Sequence, residues 1–291
     1  MPYKIGIVGN GFVGNATVTL ECSDVEVVCY DINPKLCVPT GTQMCDLLAC
    51  CAIFVSVPTP INGLGKTSMK YVDSVVSQLK DLAYSGYIVI RSTVPVGTSD
   101  RYKCYFMPEF LTEKNAIGDF KNTQNWIFGY HDHDHDHDHD VKKEGFVDTM
   151  TGIINAAYNN KKIASNRISF MRNKEAEMVK YFRNTFLATK ISFCNEIFNF
   201  CTKRGIDYNT MISVAADDSR ISKSHTSVPG HDGHFGFGGT CFPKDISSLR
   251  AQMRESDVPH CILDAVIHRN DNIDRSEKDW MDDIGRAFEY K

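Results

Sequence analysis

Residues 236–245 read GFGGTCFPKD and place Cys241 in a glycine-rich stretch that is followed by a lysine and an aspartate. The thiolate form of cysteine is a nucleophile, and a nearby lysine or backbone N–H groups stabilise it. The glycines would let the backbone approach a ligand closely. Cys241 is also one of 11 cysteines, and most buried cysteines act as small apolar side chains. From this stretch alone, a reactive and a structural thiol both remain open.

Three further segments carry polar side chains that could share a site. RSTVPVGT (91–98) places Ser92 and Thr93 at the end of an apolar run, and MPEFLTE (107–113) carries Glu109 and Glu113. Their four-residue spacing would put both glutamates on one face if that segment were helical. AEMVKYFRNTF (176–186) places Lys180 and Asn184 one helical turn apart, and Asp245 could hold a water molecule or orient Lys180. Taken alone, each pair is more typical of a solvated surface.

A glycine pattern near the N-terminus predicts a dinucleotide site. GNGFVG (9–14) matches G-x-G-x-x-G directly after a strand-like run, and Asp31 ends the next such run. In this arrangement Gly9 permits the tight turn, Gly11 lets the backbone approach a pyrophosphate, and Gly14 allows the helix to pack on the strand. The first helix offers free N–H groups to the phosphates. Asp31 can accept hydrogen bonds from both ribose hydroxyls, which favours NAD over NADP. The alternative is a glycine-rich turn in another βαβ protein.

The elements that would position these residues alternate in the first half of the chain and then change character. Apolar runs separated by helix-like segments, such as 69–82, predict βαβ units and a mostly parallel sheet. Residues 174–204 contain no Gly or Pro and predict a long helix that ends at Gly205, while 222–240 has the composition of a loop and 259–274 that of a helix. We therefore predict a Rossmann-type doubly wound parallel sheet over 1–165 and an α-helical central and dimerisation domain over 166–291. The predicted strands are 4–9, 25–31, 52–58, 86–92, 103–108 and 126–130.

Composition narrows the class of protein. The chain has 291 residues, of which 42% are hydrophobic and 23% charged, and this is ordinary for a globular protein. Its longest apolar stretch, 47–57, is too short to span a bilayer, and a strand at 4–8 leaves no room for a signal peptide. Eleven cysteines without a CxxC pair suggest free thiols, a reducing cytoplasmic setting and no zinc cage. Nothing in the charge distribution suggests a nucleic-acid surface.

The run HDHDHDHDHD (131–140) supplies five of the aspartates behind the net charge of −4. Strict alternation would place five histidines on one face of an extended segment, and imidazoles and carboxylates are ligands for zinc or nickel. Low-complexity tracts of this kind need not be ordered. We expect an incidental insertion without a metal, so that changing all five histidines to serine leaves activity intact.

Taken together, these motifs resemble the UDP-glucose/GDP-mannose dehydrogenase family. They occur in the family's order and extend over about residues 4–272. The resemblance implies an NAD-dependent, four-electron oxidation in which the C6 alcohol of a nucleotide sugar, with UDP-glucose the first expectation, becomes a carboxylate through a thiohemiacetal and a thioester. The matching motifs are GNGFVG, SVPTP (56–60), STVPVGT (92–98), PEFLTE (108–113), AEMVKYFRNTFLATKISFCNE (176–196), DDSRI (217–221) and GFGGTCFPKD.

The same resemblance implies roles for individual residues. Cys241 would be the nucleophile, Lys180 and Asn184 would stabilise the oxyanion, and Glu109 would act as acid and base. Asp245 and Thr93 would position or activate water. The implied cofactor contacts are Gly9, Asn10, Gly11, Phe12, Val13, Gly14, Asp31, Lys35, Thr59, Thr93 and Glu113. The implied substrate contacts are Glu109, Phe110, Leu111, Glu113, Lys180, Asn184, Phe235, Gly236, Phe237, Gly238 and Arg220, the last reaching the substrate of a neighbouring subunit.

The resemblance also implies a further α/β domain that holds much of the nucleotide, and we expect it to be absent because the sequence stops at Lys291. Apolar residues after Pro259 then lack a partner surface, which suggests a homodimer through the central helices. Two other functions remain open. One is a non-catalytic or weakly active relative that binds NAD or a nucleotide sugar. The other is a two-electron 3-hydroxyacid-type dehydrogenase, whose chemistry does not need Cys241.

Overall fold

The computed structural model describes residues 2–131, 137–282 and 284–289, and the side chains of 137–141 also lie outside the description. The chain folds as two compact units. One comprises Met1–Thr59 and Met69–Lys180, and the other comprises Pro60–Ser68 and Tyr181–Lys291. We predicted a boundary between residues 165 and 166, whereas the units divide inside the long helix, and the sequence did not reveal that residues 60–68 join the second unit.

The first unit is built on one sheet with the strand order β2-β1-β3-β4-β5-β6-β7 in its described residues. All neighbouring strands are parallel except β5 and β6. The predicted α/β class and all six predicted strands are confirmed, and β7 is an addition that the sequence did not suggest. The strands are β1 (Tyr3–Val8), β2 (Val25–Tyr30), β3 (Ala52–Val55), β4 (Tyr87–Ile90), β5 (Tyr105–Phe106), β6 (Trp126–Tyr130) and β7 (Ile168–Arg172).

Two separate apolar cores cover the two faces of this sheet. Along β3, Phe54 packs into one cluster with Ile5 and Ile7, while Ile53 and Val55 pack into the other. A parallel sheet is buried on both faces, and this is why its strands read as continuous apolar runs. The helices that belong to this unit are α1 (Phe12–Thr17), α2 (Lys70–Asp81), α3 (Thr98–Tyr102), α4 (Ala116–Lys121), α5 (His137–Asn159) and the start of α6 (Asn173–Arg204).

The second unit is helical and contains the rest of α6, α7 (Tyr208–Ala215), α8 (Phe242–Glu255) and α9 (Cys261–Arg269). Gly205 ends α6 with a φ of +68°, as predicted, because this conformation favours glycine. A small core joins α6, α8 and α9 through Ala188, Ile246 and Val266. Val266, which we expected to need a partner surface, is therefore covered by its own unit, while Cys261 and Ile262 are exposed.

Residues 60–68 join the second unit by pairing with the end of the chain. Ile61 exchanges backbone hydrogen bonds with Ala287 and Glu289, each with a donor–acceptor distance of 2.9 Å. Residues 222–240 form no helix or strand, in agreement with the predicted loop. In the ranges that the structure describes, no helix is long and apolar enough to cross a membrane.

Each unit contains one of the two tryptophans of the chain. Trp126 on β6 is 2% exposed, and its indole N–H donates to the carbonyl of Ser165 at 2.7 Å. Trp280 lies near the end of the second unit and is 4% exposed.

Candidate active site

The glycine loop follows β1 and leads directly into α1. Gly9 has a φ of +87°, and a Cβ there would lie 2.7 Å from the carbonyl oxygen of Ser56. A Cβ at Gly14 would lie 2.0 Å from the carbonyl oxygen of Gly9, so the helix and the loop meet at this position. A Cβ at Gly11 would meet nothing within 4 Å. The protein itself therefore demands glycine at 9 and 14, whereas the space at Gly11 is open to a ligand, as a pyrophosphate would require.

Asp31 lies beside this loop at the end of β2. Its Oδ2 accepts the N–H of Asn10 at 2.7 Å, and its Oδ1 accepts the N–H of Asn33 at 2.8 Å. The amide of Asn10 also donates to the carbonyl of Leu36. The structure thus places beside the loop a carboxylate that can accept hydrogen bonds from the hydroxyls of a ribose. Lys35 is exposed in the turn after Asp31, and Thr59 is buried.

Glu109 and Lys180 form a buried ion pair in the first unit. Lys180 on α6 donates to Oε1 of Glu109 at 2.6 Å and to its backbone carbonyl at 2.7 Å. The second carboxylate oxygen accepts the N–H of Leu111 at 2.9 Å. Glu109 is 6% exposed and Lys180 2%. Burial alone would raise the pKa of Glu109, but Lys180, the Leu111 N–H and the charge of Arg91 together hold it below its ordinary value. Glu109 is therefore an ionised carboxylate at neutral pH.

Arg91 is the second cation near Glu109, and sequence reasoning missed it. It directly follows β4, is 2% exposed, donates to the hydroxyl of Thr17 and lies over the ring of Phe120 at 5.4 Å. Burial lowers its pKa to about 10. Arg91 and Glu109 both line a cavity of about 30 Å³. An arginine directly after the apolar run YIVI was the signal that could have identified it.

Glu177 on α6 binds the loop after β4 through hydrogen bonds. It is another residue that the sequence did not predict as part of the site. The carboxylate of Glu177 accepts the N–H of Ser99 at 2.8 Å and that of Gly97. Burial raises the pKa of Glu177 to about 7, against the lowering effect of these hydrogen bonds. In the same loop Ser92 donates to the carbonyl of Val57 at 2.6 Å, and Thr93 is buried.

Glu113 is exposed, whereas Glu109 is buried. Residues 107–112 form no helix, and Glu113 begins a short 3-10 helix on the surface. The condition for a shared helix face is therefore not met, and the carboxylate of Glu109 instead accepts the N–H of Leu111. Phe110 is half-buried and Leu111 is buried.

Cys241 occupies the N-cap position of α8 in the second unit and is half-buried. Its carbonyl accepts the N–H of Asp245 at 2.9 Å, and its Sγ lies 3.8 Å from the hydroxyl of Thr240. The first turn of a helix has N–H groups without intrahelical acceptors and a positive potential. The thiol therefore lies where a developing negative charge is favoured. No disulfide bond joins any of the 11 cysteines, all of which lie in the described ranges.

Asp245 is fully buried one turn after Cys241, and its carboxylate accepts hydrogen bonds from one amide and one ammonium group. Its Oδ2 accepts the side-chain N–H of Asn184 at 2.6 Å, and its Oδ1 accepts Lys244 at 2.6 Å. The side chain of Asp245 is 0% exposed and that of Lys244 10%. The predicted Asn184 and Asp245 are thus brought together, and Lys244, which we considered only as a stabiliser of the thiolate, donates to Asp245.

Two of the glycines before Cys241 lie against side chains of the protein itself. A Cβ at Gly236 would lie 2.4 Å from Oδ1 of Asn270, and a Cβ at Gly238 would lie 2.4 Å from Cζ of Arg275. A Cβ at Gly239 would meet nothing within 4 Å, so the approach of a ligand to this stretch stays a prediction. Phe237 is buried between Gly236 and Gly238, and Phe235 is partly exposed.

Arg220 projects from the surface of the second unit. Its guanidinium forms an ion pair with Asp218 two residues earlier, and its side chain is 87% exposed. The histidine–aspartate run, which we expected to be an incidental insertion without a metal, falls mainly on residues 132–136 and on the side chains of 137–140, which lie outside the described residues. Among the residues that are described, no three His, Cys, Asp or Glu side chains form a cluster that could hold a metal ion.

Comparison with known proteins agrees with this arrangement. Residues 38–144 match the NAD binding domain of the UDP-glucose/GDP-mannose dehydrogenase family, and residues 174–272 match its central domain. UDP-glucose 6-dehydrogenase TuaD of Bacillus subtilis (strain 168) is 28% identical, over 92% of this chain and 63% of that protein. UDP-glucose 6-dehydrogenase of Rickettsia typhi is 30% identical, over 75% of this chain and 49% of that protein. The chain thus spans roughly half to two thirds of the length of these relatives.

Solved structures show the same fold. A UDP-glucose dehydrogenase from Pyrobaculum islandicum superposes with a TM-score of 0.77 at 24% identity, over 93% of this chain and 68% of that one. A 3-hydroxyisobutyrate dehydrogenase from Mycobacterium tuberculosis superposes with a TM-score of 0.69 at 13% identity, over 99% of this chain and 97% of that one. Both domain matches name the same family, and together they extend over most of the sequence. The chain therefore belongs to the UDP-glucose/GDP-mannose dehydrogenase family and carries its NAD-binding and central domains.

Proposed function

We propose that the protein oxidises the C6 primary alcohol of a nucleotide sugar to a carboxylate in two successive steps, with UDP-glucose as its substrate. The observation that carries this proposal is the position of Cys241 at the start of α8, one turn before a buried aspartate that binds Asn184 and Lys244. Two oxidations at one site need a covalent tether between them, and a thiol that forms and later leaves can provide it.

Cys241 acts on the aldehyde that the first oxidation produces. Its Sγ forms a bond to the aldehyde carbon, and the carbonyl oxygen takes up a proton to give a thiohemiacetal. Loss of hydride from that carbon and of the hydroxyl proton leaves a thioester. Water then adds to the thioester carbon and the C–S bond breaks, which releases the carboxylate and the thiol. NAD, when bound, supplies the acceptor for the two hydrides in turn.

The charged residues fit the remaining roles. Lys180 and Asn184 both lie on α6, and we assign them to the oxyanion that develops during thiol addition and hydrolysis. Glu109 is held ionised by Lys180 and Arg91, so in hydrolysis it serves as a base rather than an acid. We assign Asp245 and Thr93 to the positioning of water, and Arg220, which is exposed, to the substrate of a second subunit.

The cofactor loop supports NAD over NADP. Asp31 presents its carboxylate beside Gly11 and is bound only by backbone N–H groups among the contacts described here. A carboxylate accepts hydrogen bonds from the ribose hydroxyls of NAD, whereas it repels the extra phosphate of NADP.

The stoichiometry of NADH formation tests the reaction. The protein is incubated with NAD and UDP-glucose or GDP-mannose, and NADH is followed together with the sugar product. We expect two NADH per sugar from wild-type protein, and loss of the carboxylate product in Cys241→Ser. Cys261→Ser is the matched control, because Cys261 is exposed on α9 and has no assigned role. One NADH per sugar would indicate a two-electron dehydrogenase. No NADH with any sugar would leave a protein that only binds these ligands.

We also propose that the protein is a homodimer through its central helices. Phe186, Phe193 and Phe200 on α6 are exposed and recur every seven residues, and Phe182 lies one turn earlier on the same helix. Exposed apolar rows of this kind usually mark an interface. Light scattering should give twice the chain mass for wild-type protein and for Tyr158→Ser, which removes an exposed aromatic on α5. Phe193→Ser/Phe200→Ser should shift the mass to the monomer, and a monomeric wild type would contradict the proposal.

A further inference from the structure

The segment before Cys241 is held by a side chain from the segment that follows α9. Asn270 is fully buried, and its amide N–H donates to the carbonyl of Phe237 at 3.0 Å. Its Oδ1 accepts the N–H of the same Phe237 at 2.8 Å. One side-chain amide thus pairs with both polar backbone groups of one residue, as a neighbouring strand would.

A second amide acts on the adjacent residue from α6. Oδ1 of Asn195, which is also buried, accepts the N–H of Gly236 at 3.2 Å. The ring of Phe237 meanwhile packs in the small core with Ile246 and Val266. Residues 236 and 237 are therefore fixed both through their backbone and through the one large side chain that they carry.

Arg275 packs against the same segment at Gly238. Its guanidinium is buried against Gly238 and forms ion pairs with Asp279 and Asp232, each at 2.6 Å. Asp279 receives two bonds from it, because Nε also donates to its other oxygen at 2.7 Å. The guanidinium is thus held in one orientation, and only glycine fits opposite it.

This stretch needs such partners because it has no regular structure of its own. Buried backbone N–H and C=O groups must be paired, and residues 236–240 lie outside any helix or strand. Gly236 and Gly239 both have positive φ angles, and glycine gives the backbone wide conformational freedom. The side chains that bind Gly236–Gly238 therefore fix the backbone that leads into Cys241, while α8 holds Cys241 from the other direction along the chain.

We propose that Asn270 is a positioning residue that fixes the backbone at Phe237 and thereby sets the position of Cys241 at the start of α8, with Arg275 as a second support at Gly238. This proposal deepens the proposed function, on which it rests, because it concerns the thiol assigned as the nucleophile. A nucleophile that is held in place loses less freedom on reaching the transition state. The segment after α9 therefore serves the chemistry without touching the substrate.

Alkylation of Cys241 tests the positioning role without any need for turnover. Wild-type protein and Asn270→Ala are treated with iodoacetamide, and the modified cysteines are identified by peptide mass spectrometry, with exposed Cys261 as an internal reference. Loss of both bonds to Phe237 favours local opening, so we expect alkylation of Cys241 to become about tenfold faster relative to Cys261. Asn272→Ala is the matched control, because Asn272 is exposed and its side chain binds only His268 of α9 in the described contacts.

Steady-state kinetics gives the second readout. In Asn270→Ala we expect kcat to fall about tenfold while the KM for NAD stays unchanged, since the NAD site belongs to the other unit. If Asn270→Ala does not fold, Gly238→Ala loosens the same segment through its clash with Arg275 and should show the same two effects. Folded variants with wild-type alkylation of Cys241 would overturn the proposal. If wild-type protein gives no turnover at all, the proposed function fails, and the alkylation result alone still decides the role of Asn270.

Discussion

Replacing Lys180 with methionine should destabilise the protein by an amount that depends on pH. The change removes the ammonium that Glu109 binds but leaves the carboxylate buried, with the Leu111 N–H and the charge of Arg91 as its remaining support. Breaking a buried ion pair from one side costs about 3–5 kcal/mol. Because Glu109 is only 6% exposed, screening by water should reduce this figure little. We expect a loss of about 3–5 kcal/mol in the free energy of unfolding at neutral pH.

The direction of the pH dependence follows from the pKa of Glu109 in wild-type protein and in Lys180→Met. In wild-type protein the pKa of Glu109 lies below its ordinary 4.5, so the stability that the ion pair contributes is complete above that value and is lost as the pH falls through the lowered pKa. In Lys180→Met, burial is opposed more weakly and the pKa of Glu109 rises above 4.5. The penalty is then largest at neutral pH and shrinks as Glu109 takes up a proton on acidification.

Urea denaturation followed by circular dichroism, at several pH values between about 5 and 8, measures this difference. The double variant Lys180→Met/Glu109→Gln removes both charges of the ion pair, and the buried cation of Arg91 remains nearby. The double variant should be less destabilised than the single variant at neutral pH and show no pH dependence of its own. Lys174→Met is the matched control, since Lys174 is exposed on the first turn of α6. A loss in Lys180→Met that is the same at every pH would refute the view that an uncompensated carboxylate causes it.

Two further predictions concern the same unit. Because the pKa of Glu177 is raised to about 7, the folded state binds the extra proton, and stability should fall by about 2–3 kcal/mol as the pH rises from about 4.5 to about 7. In Glu177→Gln, the urea midpoint should no longer fall in this way as the pH rises. An unchanged dependence of the midpoint on pH would contradict the assignment. Gly14→Ala should destabilise the protein by about 3 kcal/mol or more, because its Cβ would lie 2.0 Å from the Gly9 carbonyl oxygen. Gly11→Ala has open space, so it should keep the thermal midpoint and weaken only NAD binding measured by calorimetry; equal midpoints for the two variants would disprove this reasoning.

The parts of the fold that the sequence predicted are those with a strong local signal. Buried parallel strands are continuous apolar runs, and α6 has 32 residues without an interruption. β7 gave no such signal, because most of its residues are only half-buried at the edge of the sheet. The transfer of residues 60–68 to the second unit depends on pairing with residues near 288, and no local pattern reports a contact of that length.

In the candidate site, too, residues with a local sequence signal were predicted and their long-range partners were not. Cys241, Asp245 and the Lys180–Asn184 pair were selected because motifs carry them. The residues that support the surrounding groups were not, since Arg91, Glu177 and Asn270 act through long-range contacts with a buried carboxylate or with backbone groups. The four-residue spacings suggested only that Glu109 and Glu113 would share a face if their segment were helical, and that Lys180 and Asn184 lie one helical turn apart. The structure instead pairs Glu109 with Lys180, 71 residues apart, which no spacing rule could suggest.

The placement of the two tryptophans has a practical consequence for studying this protein. Trp126 reports on the sheet unit and Trp280 on the helical unit, and both indoles are removed from water in the folded state. Their emission should therefore shift to longer wavelength when the unit that contains them unfolds. With Trp126→Phe or Trp280→Phe, one fluorescence signal remains for one unit. Each unit thus contains its own intrinsic fluorophore. Unfolding of the sheet unit and of the helical unit can therefore be recorded separately without attaching a dye.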